Sequence, residues 1–310
     1  MTIPNVSLSP RNDVENAVVA RLGANWGRRA AVKKPEQQFD DLFDADKLDY
    51  PDGLIPFGRH PAYRALSEDR RHRIRARAWI AFNKNVMDVE QHVVNPGFAL
   101  LARDVFDTGM GDTLAVAVTQ AMVDEQYHTL MHLQASALTR RARGINASDR
   151  DLPDPATVRR MRVDLAACDS ERDEHLTTLA YTTVAEISIT SYLALIEDGP
   201  DIQPVNRATV ALHERDEHCH ASIAAEMALV VHRALSSRDR QFFHDRLDGA
   251  MDAFASNDMT TWARILELEG IDDGDRILAD VSVDASRKPL LQDYSGIEEL
   301  RRRCAEDLTR

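Results

Sequence analysis

The residues most able to do chemistry lie in one stretch, His213-Glu214-Arg215-Asp216-Glu217-His218-Cys219-His220. On an α-helix, at about 100° per residue, Glu217 falls about 40° from His213, and His220 about 20° to its other side. Two imidazoles and a carboxylate therefore share a narrow face, while His218 and Cys219 point away. That face continues into Ile223, Ala224, Met227, Val230 and Val231, an apolar stripe that belongs in a core. An uncompensated carboxylate in such a place is very costly. A bound metal ion is the natural compensation.

Three other helical patterns carry an acid inside an apolar stripe. Glu90 stands among Phe82, Val86 and Val93. Glu125, with His128 one turn on, is flanked by Ala121, Met122 and Met131. Glu186 is set among Leu179, Thr182, Thr183, Ile189, Thr190 and Leu193. Buried carboxylates are rare unless paired, and the four negative charges are matched by two ferrous ions. Mixed carboxylate and imidazole donors suit iron or manganese. Iron is the expected metal, because octahedral iron keeps positions open for oxygen. Ferritin-like di-metal carboxylate proteins place one Glu on each of two helices and a Glu-x-x-His on each of the other two. The order Glu90, Glu125 with His128, Glu186, Glu217 with His220 resembles that layout. One Glu-x-x-His arises by chance on any charged helix. Two of them, each preceded by a core-facing Glu on another helix, are far more specific. The plain alternative, solvated helix faces with incidental Glu and His, does not account for Glu186, which has apolar neighbours on all sides. His213, one turn before Glu217 on the same face, could be a seventh ligand.

At this point the sequence resembles the AurF-like arylamine N-oxygenases, whose di-iron site adds a third histidine to the ferritin-like six. The motifs that carry the resemblance are DVEQH around Glu90, DEQYH from Asp124 to His128, AEIS around Glu186 and HERDEHCH from His213 to His220. The spacings of 35 residues from Glu90 to Glu125 and 27 from Glu186 to His213 fit as well. The resemblance covers residues 67 to 235. It implies an all-α, ferritin-like four-helix bundle with additional helices, forming a homodimer. It implies two irons reduced by an external electron donor, O2 as co-substrate, and oxygen transfer to a primary amine, giving hydroxylamine, nitroso or nitro products in specialised metabolism such as antibiotic biosynthesis. An aliphatic amine or amino-acid derivative stays open as substrate, as does di-iron C–H hydroxylation or desaturation. A metal-storage or radical-subunit protein is the remaining rival.

The elements that must position these residues are long helices, expected at 67–94, 112–143, 171–197 and 204–235. Ser67 is a good N-cap, Pro96 a stop for the first helix, Asp112 a cap for the second, Gly199-Pro200 a stop for the third and Pro204 a start for the fourth. Shorter helices are expected at 98–107, 157–168, 236–255, 260–268 and from 296 onward. No alternating strand pattern, repeat or low-complexity tract is present. The expected division is an N-terminal wrapping segment (1–60), a di-iron helical bundle (61–256) and a C-terminal helical extension of the same domain (257–310).

Bulk composition excludes several classes. The 310 residues are 44% hydrophobic and 29% charged, with a net charge of −13. Such acidity argues against nucleic acid or an anionic membrane as partner. The start, MTIPNVSLSP, has neither a basic nor an apolar leader region. The most hydrophobic window, 179–196, holds Glu186 near its centre and reads as a buried functional helix rather than a membrane span. Three scattered cysteines, Cys168, Cys219 and Cys304, fit a reducing cytoplasm.

Further candidates flank the ligands. Asp124 and Asp216, each beside a ligand Glu, could receive the outer N–H of a ligand His. His132 could be a bystander or a support for the site. Tyr127 and Tyr192 read better as packing than as cavity lining, while one or two of Thr182, Thr183, Thr190 and Ser191 could face substrate. His60, His72, His175, His218, His232 and His244 read as surface or half-buried groups, and the run RRHRIRAR at 70–77 as a solvated face. Phe82, Asn85 and Val86 precede Glu90 on its face and none is basic. Lys84 lies about 120° from Glu90. That points away from a free aminobenzoic acid.

Overall fold

The computed structural model describes residues 13–35, 39–146, 148–197, 201–287, 290–291 and 293–307. The stretch MTIPNVSLSP and the stop at Gly199-Pro200 lie outside them. Among the described residues twelve α-helices follow one another: α1 (Asp13–Arg29), α2 (Pro61–Arg64), α3 (Glu68–Val89), α4 (Asn95–Ala102), α5 (Gly111–Ala142), α6 (Ala156–Ala166), α7 (Glu171–Glu197), α8 (Pro204–Ala234), α9 (Ser237–Phe254), α10 (Met259–Leu268), α11 (Gly274–Arg287) and α12 (Ser295–Asp307). Among the described residues the one β feature is an isolated bridge between Leu48 and Ile202. The fold is all-α, as the sequence pattern predicts.

The long helices α3, α5, α7 and α8 form the central bundle, with α7 packed on α8 and α3 on α5. Their ends obey local rules. The Ser67 side chain accepts from the Arg70 amide to cap α3, the Ser236 side chain accepts from the Asp239 amide to cap α9, and Pro204 sits in the first turn of α8, where its missing donor costs nothing. The apolar window of α7 has mean hydropathy 1.4 and is 72% buried against its neighbours. One core cluster runs from Val19 on α1 to Cys304 on α12, so the flanking helices share the core of the bundle. The segment at 43–50 is tied to the start of α8: Leu48 N–H donates to Asp201 O at 2.8 Å and Gln203 N–H to Leu48 O at 2.8 Å, while Asn206 Nδ2 donates to Asp49 O at 2.8 Å.

Three boundaries differ from expectation. Pro96 does not stop the first long helix. The chain passes from α3 through a π-helical turn, Glu90–Val94, straight into α4. Pro96 falls in the first turn of α4, where no amide donor is required, and α4 ends at Ala102 rather than near 107. Asp112 does not cap α5, which starts from Met110 without a side-chain cap. Asp112 lies in the first turn, where its charge complements the helix dipole. The tail beyond 270, weakly patterned in sequence, carries α11 as well as α12. The π-turn holds Glu90, and such bulges concentrate at functional sites because they re-aim a side chain.

Candidate metal centre

The bundle brings Glu90, Glu125, His128, Glu186, His213, Glu217 and His220 together, each at most 3% exposed. Glu90 comes from the π-turn after α3, Glu125 and His128 from α5, Glu186 from α7, and His213, Glu217 and His220 from α8. Glu217 Oε1 is a hub, 3.0 Å from His213 Nε2, 3.3 Å from His128 Nδ1 and 3.3 Å from His220 Nδ1. His220 Nδ1 lies 2.7 Å from Glu125 Oε1, and His213 Nε2 3.2 Å from Glu90 Oε1. Two overlapping quartets have donor atoms mutually within 4.8 Å: Glu90, Glu125, His128 and His213, and Glu125, His128, Glu217 and His220. Glu186 is outside both quartets but lines the same small cavity, together with Glu90, Glu125, His213, Glu217 and the apolar Val89, Val94, Ala185 and Ile189.

The donor atoms fit a metal and do not fit a self-contained hydrogen-bond network. Glu90 Oε1, Glu125 Oε1, Glu186 Oε2, His213 Nε2, Glu217 Oε1 and His220 Nδ1 are all buried without a well-aligned hydrogen bond, although several crowd within 3.3 Å of one another. Orphaned buried polar atoms are rare in native folds. Five of the six side chains, Glu90, Glu125, Glu186, His213 and Glu217, line one cavity, and His220 stands beside it against Glu125.

The charges are as strained as the geometry. Burial and the neighbouring Glu125 charge push Glu90 well above the usual carboxylate range. Burial, Glu125 and Glu217 do the same to Glu186. Burial also acts upward on Glu217, but His220 and His213 outweigh it and hold that carboxyl well below the usual range. Burial opposes charging of His128 and His220, yet surrounding carboxylates raise both well above an ordinary imidazole. Protons here occupy the place that cations would take.

Each histidine is oriented by a partner behind it. His128 Nε2 lies 3.4 Å from Asp216 Oδ2, and His220 Nε2 3.2 Å from Asp124 Oδ2. Both acids are fully buried, so the sequence candidates Asp124 and Asp216 do receive the outer ring nitrogens. His213 is supported by His132: His132 Nε2 stands 2.9 Å from His213 Nδ1, and His132 Nδ1 stands 2.7 Å from Asn83 Oδ1. Asn83 Nδ2 donates to Trp79 O, which leaves Oδ1 as the acceptor. His132 Nδ1 then donates, its Nε2 accepts from His213 Nδ1–H, and the His213 Nε2 lone pair faces the cluster. Burial and the adjacent His213 hold His132 well below the usual imidazole range, hence neutral.

Sequence reasoning missed the outermost supports. Trp26 Nε1 on α1 donates to Asp124 at 2.9 Å, the Ala31 amide donates to Asp216 at 2.9 Å, and Arg29 Nη1 lies 3.5 Å from Asp216 and 3.8 Å from Asp124. Thr129 Oγ1 donates to Glu90 Oε2 at 3.0 Å. Nothing local to α1 marks it as part of the site, because its partners lie on α5 and α8.

Other candidates fall elsewhere. Thr182 Oγ1 donates to backbone carbonyls of Thr178 and Val93, and Thr183 Oγ1 to that of Leu179, so these hydroxyls are committed to backbone. Tyr127 packs beside Met131 and Leu138, whereas Tyr192 lines a separate, larger cavity. The run 70–77 is not a solvated face throughout. Arg75 and Arg77 are buried, Arg75 pairing with Asp52 and Glu68, and Arg77 and Arg73 with Glu269 on the C-terminal side. Packing of residues 52–54 and α10 over α3 accounts for the difference. His232 is buried rather than half-buried, 3.2 Å from His244.

Comparison with known proteins adds a separate finding. The chain matches the family model for the p-aminobenzoate N-oxygenase AurF over residues 12–304. The 4-aminobenzoate N-oxygenase of Streptomyces thioluteus is 32% identical over 289 residues, spanning 93% of this chain and 86% of that protein. Among solved structures, a mutant R2-like ligand-binding oxidase with aerobically reconstituted Mn/Fe cofactor matches with TM-score 0.49 and 12% identity, covering 96% of this chain and 94% of that one. An R2-like ligand-binding oxidase with the same cofactor after a long soak matches with TM-score 0.48 and 12% identity, over 97% and 92%.

Proposed function

The chain belongs to the AurF family of p-aminobenzoate N-oxygenases, and from that premise we propose that it is an O2-dependent, non-haem di-iron N-oxygenase. It converts a primary arylamine to hydroxylamine, nitroso or nitro product in the cytoplasm, in specialised metabolism. The observation that carries this reading is the gathering of six buried, under-satisfied donor atoms, five of them on residues that line one cavity. Glu90, Glu125, His128, Glu186, His213, Glu217 and His220 would hold the metal pair, Glu125 and His128 being common to both quartets. Four carboxylates and neutral imidazoles balance two divalent ions. The donor set accepts manganese as well as iron, and the requirement for oxygen activation selects iron.

When bound, the metal pair supplies a redox-active, Lewis-acidic centre for activating O2. The chain supplies the rest. Asp124 and Asp216 fix the tautomers of His220 and His128 so that Nδ1 faces inward, and His132 fixes His213 so that Nε2 does. Such fixation holds the three imidazole donors ready without reorganisation. Val89, Val94, Ala185 and Ile189 exclude water, which protects reactive oxygen species from side reactions. The first oxidation balances as amine plus O2 plus two electrons and two protons to hydroxylamine plus water, the electrons coming from an external donor. A homodimer fits the outer face of α5, where Val116, Val123 and Leu130 at seven-residue spacing, with Leu133, are exposed, the pattern of a helix-pairing seam.

The test is turnover under 18O2 with an arylamine and a chemical reductant, followed by mass spectrometry. Label on the amine nitrogen is expected. Label on ring or aliphatic carbon would replace this reading with a hydroxylase.

A further inference from the structure

A second cavity, about 750 Å3 including its open mouth, has Phe82 in its wall, and the Phe82 ring lies 6.5 Å from His132, the support of His213. Resting on the N-oxygenase reading, we propose that this cavity is the substrate site, that it takes an uncharged arylamine, and that it disfavours a free aminobenzoate. Its wall is a belt of rings in sequential contact. Trp262 and Tyr50 meet edge to face with centroids 6.1 Å apart, Tyr50 and Phe82 lie at 6.5 Å, Phe82 and Tyr192 stack at 4.7 Å and 4°, and Tyr192 and Phe254 lie at 6.0 Å. A planar aromatic ring suits such a belt, through offset stacking and edge-to-face contacts. Along α3 and α7 the cavity's wall ends one helical turn from the wall of the cluster's cavity. Asn85 on α3 stands one turn before Val89, and Tyr192 on α7 one turn after Ile189. Val89 and Ile189 in turn line the cavity of the cluster.

Charge decides the substrate class. Among the described residues that line this cavity, two are charged, Lys84 and Asp258. Lys84 pairs with Asp88, and Asp154 lies 3.8 Å from its Nζ. Asp258 accepts two 3.0 Å bonds from Arg159. Both charges are already matched. The remaining polar groups, Asn85, Thr157, Ser256, Asn257 and Thr261, are neutral. A ring carboxylate in this belt would lose its water without gaining a counter-ion, which is a large penalty. A neutral ring substituent carries no such cost.

The matched pair 4-aminobenzoate and 4-aminobenzamide shares amine, ring and substituent position but differs in charge. On the iron-loaded protein without O2, their affinities can be read from quenching of the Trp262-containing fluorescence. With O2 and reductant, kcat/KM for N-oxidation can be read for each. The benzamide is expected to win by about tenfold or more in both, as an unpaired buried charge dictates. Asn85→Arg, which adds a cation at the end of the wall nearest the cluster, is expected to shift the preference about tenfold toward the benzoate. Should that variant fail to fold, Asp154→Asn, which loosens the pairing of Lys84, is expected to shift it in the same direction by less. Equal or tighter binding of the benzoate by the parent protein overturns the inference, and so does a preference that neither variant moves. Oxidation of both amines without charge preference leaves the N-oxygenase reading standing alone. Preferential binding of the benzamide without oxidation of either amine keeps the cavity assignment and withdraws N-oxygenation.

Discussion

Replacing Asp124 with alanine isolates what the outer ring of the site contributes. Asp124 is fully buried, accepts from Trp26 Nε1 at 2.9 Å and holds His220 Nε2 at 3.2 Å. Removing the carboxylate strands the buried His220 Nε2–H, at a cost of about 1–3 kcal/mol in folding stability. Trp26 adds little to this, because its indole is only half-buried and water can take its N–H. The larger consequence is for metal. His220 would be free to rotate or to carry its proton on Nδ1, the nitrogen that faces Glu125. Loss of such an outer partner weakens metal binding about 10- to 100-fold, or about 1.4–2.7 kcal/mol. The assay is an anaerobic ferrous titration of both proteins, with thermal melts of the metal-free forms to separate folding from binding. Asp124→Asn keeps a carbonyl acceptor and should lose less. A folded Asp124→Ala protein that binds ferrous iron as tightly as wild type would refute the claim that this acid positions His220.

Four further substitutions have expected outcomes, three near the site and one away from it. Gly97→Ala on α4 would place a methyl group 2.0 Å from Thr182 Oγ1 on α7. That overpacking should cost about 1–3 kcal/mol in a denaturant titration and lower iron content by displacing the π-turn that bears Glu90. Glu186→Ala should lose one metal by elemental analysis, whereas His213→Ala should keep much of the iron and lose or redirect oxygen transfer. Full activity in His213→Ala would show that its Nε2 serves no purpose at the centre. Away from the site, burial raises the Asp49 carboxyl from 3.8 to about 6 despite its pairing with Arg143. A raised folded-state pKa gives stability that is present below pH 3.8 and lost as pH rises through about 6. The stability difference between wild type and Asp49→Asn, measured in urea, should therefore change by about 2 kcal/mol between pH 4 and 8. A pH-independent difference would contradict it.

The parts of the site legible in the sequence are those set by helical period. His213, Glu217 and His220 had to share a face of α8, and Glu186 had to be buried because its whole window is apolar. Asp124 and Asp216 were legible only as neighbours of ligands. Confirming them required a helix crossing, since each serves a histidine on the other helix. His132 shared a face with His128, but its task depends on Asn83 from α3. The supports on α1 and just after it left no local trace: Trp26 and Ala31 reach acids 98 and 185 residues away. Pro96 misled because its usual meaning as a stop is overridden by a π-turn that lets α4 restart at once. Arg75 and Arg77 misled because ion pairing with Asp52 and Glu269 allows a basic run to be buried, and those partners come from distant segments.

The central claim is that seven side chains hold two irons, and metal stoichiometry tests it most directly. The protein would be loaded with ferrous iron without oxygen, freed of loose metal by gel filtration, and counted by elemental analysis per chain. About two irons per chain are predicted for wild type, a count that follows from four buried carboxylates balancing two divalent ions in the ferritin-like ligand layout. The same measurement on Glu217→Ala, which removes the hub oxygen facing three histidines, should show a marked loss. A folded wild-type chain that retains no iron, or a Glu217→Ala chain that retains the full complement, would contradict the account.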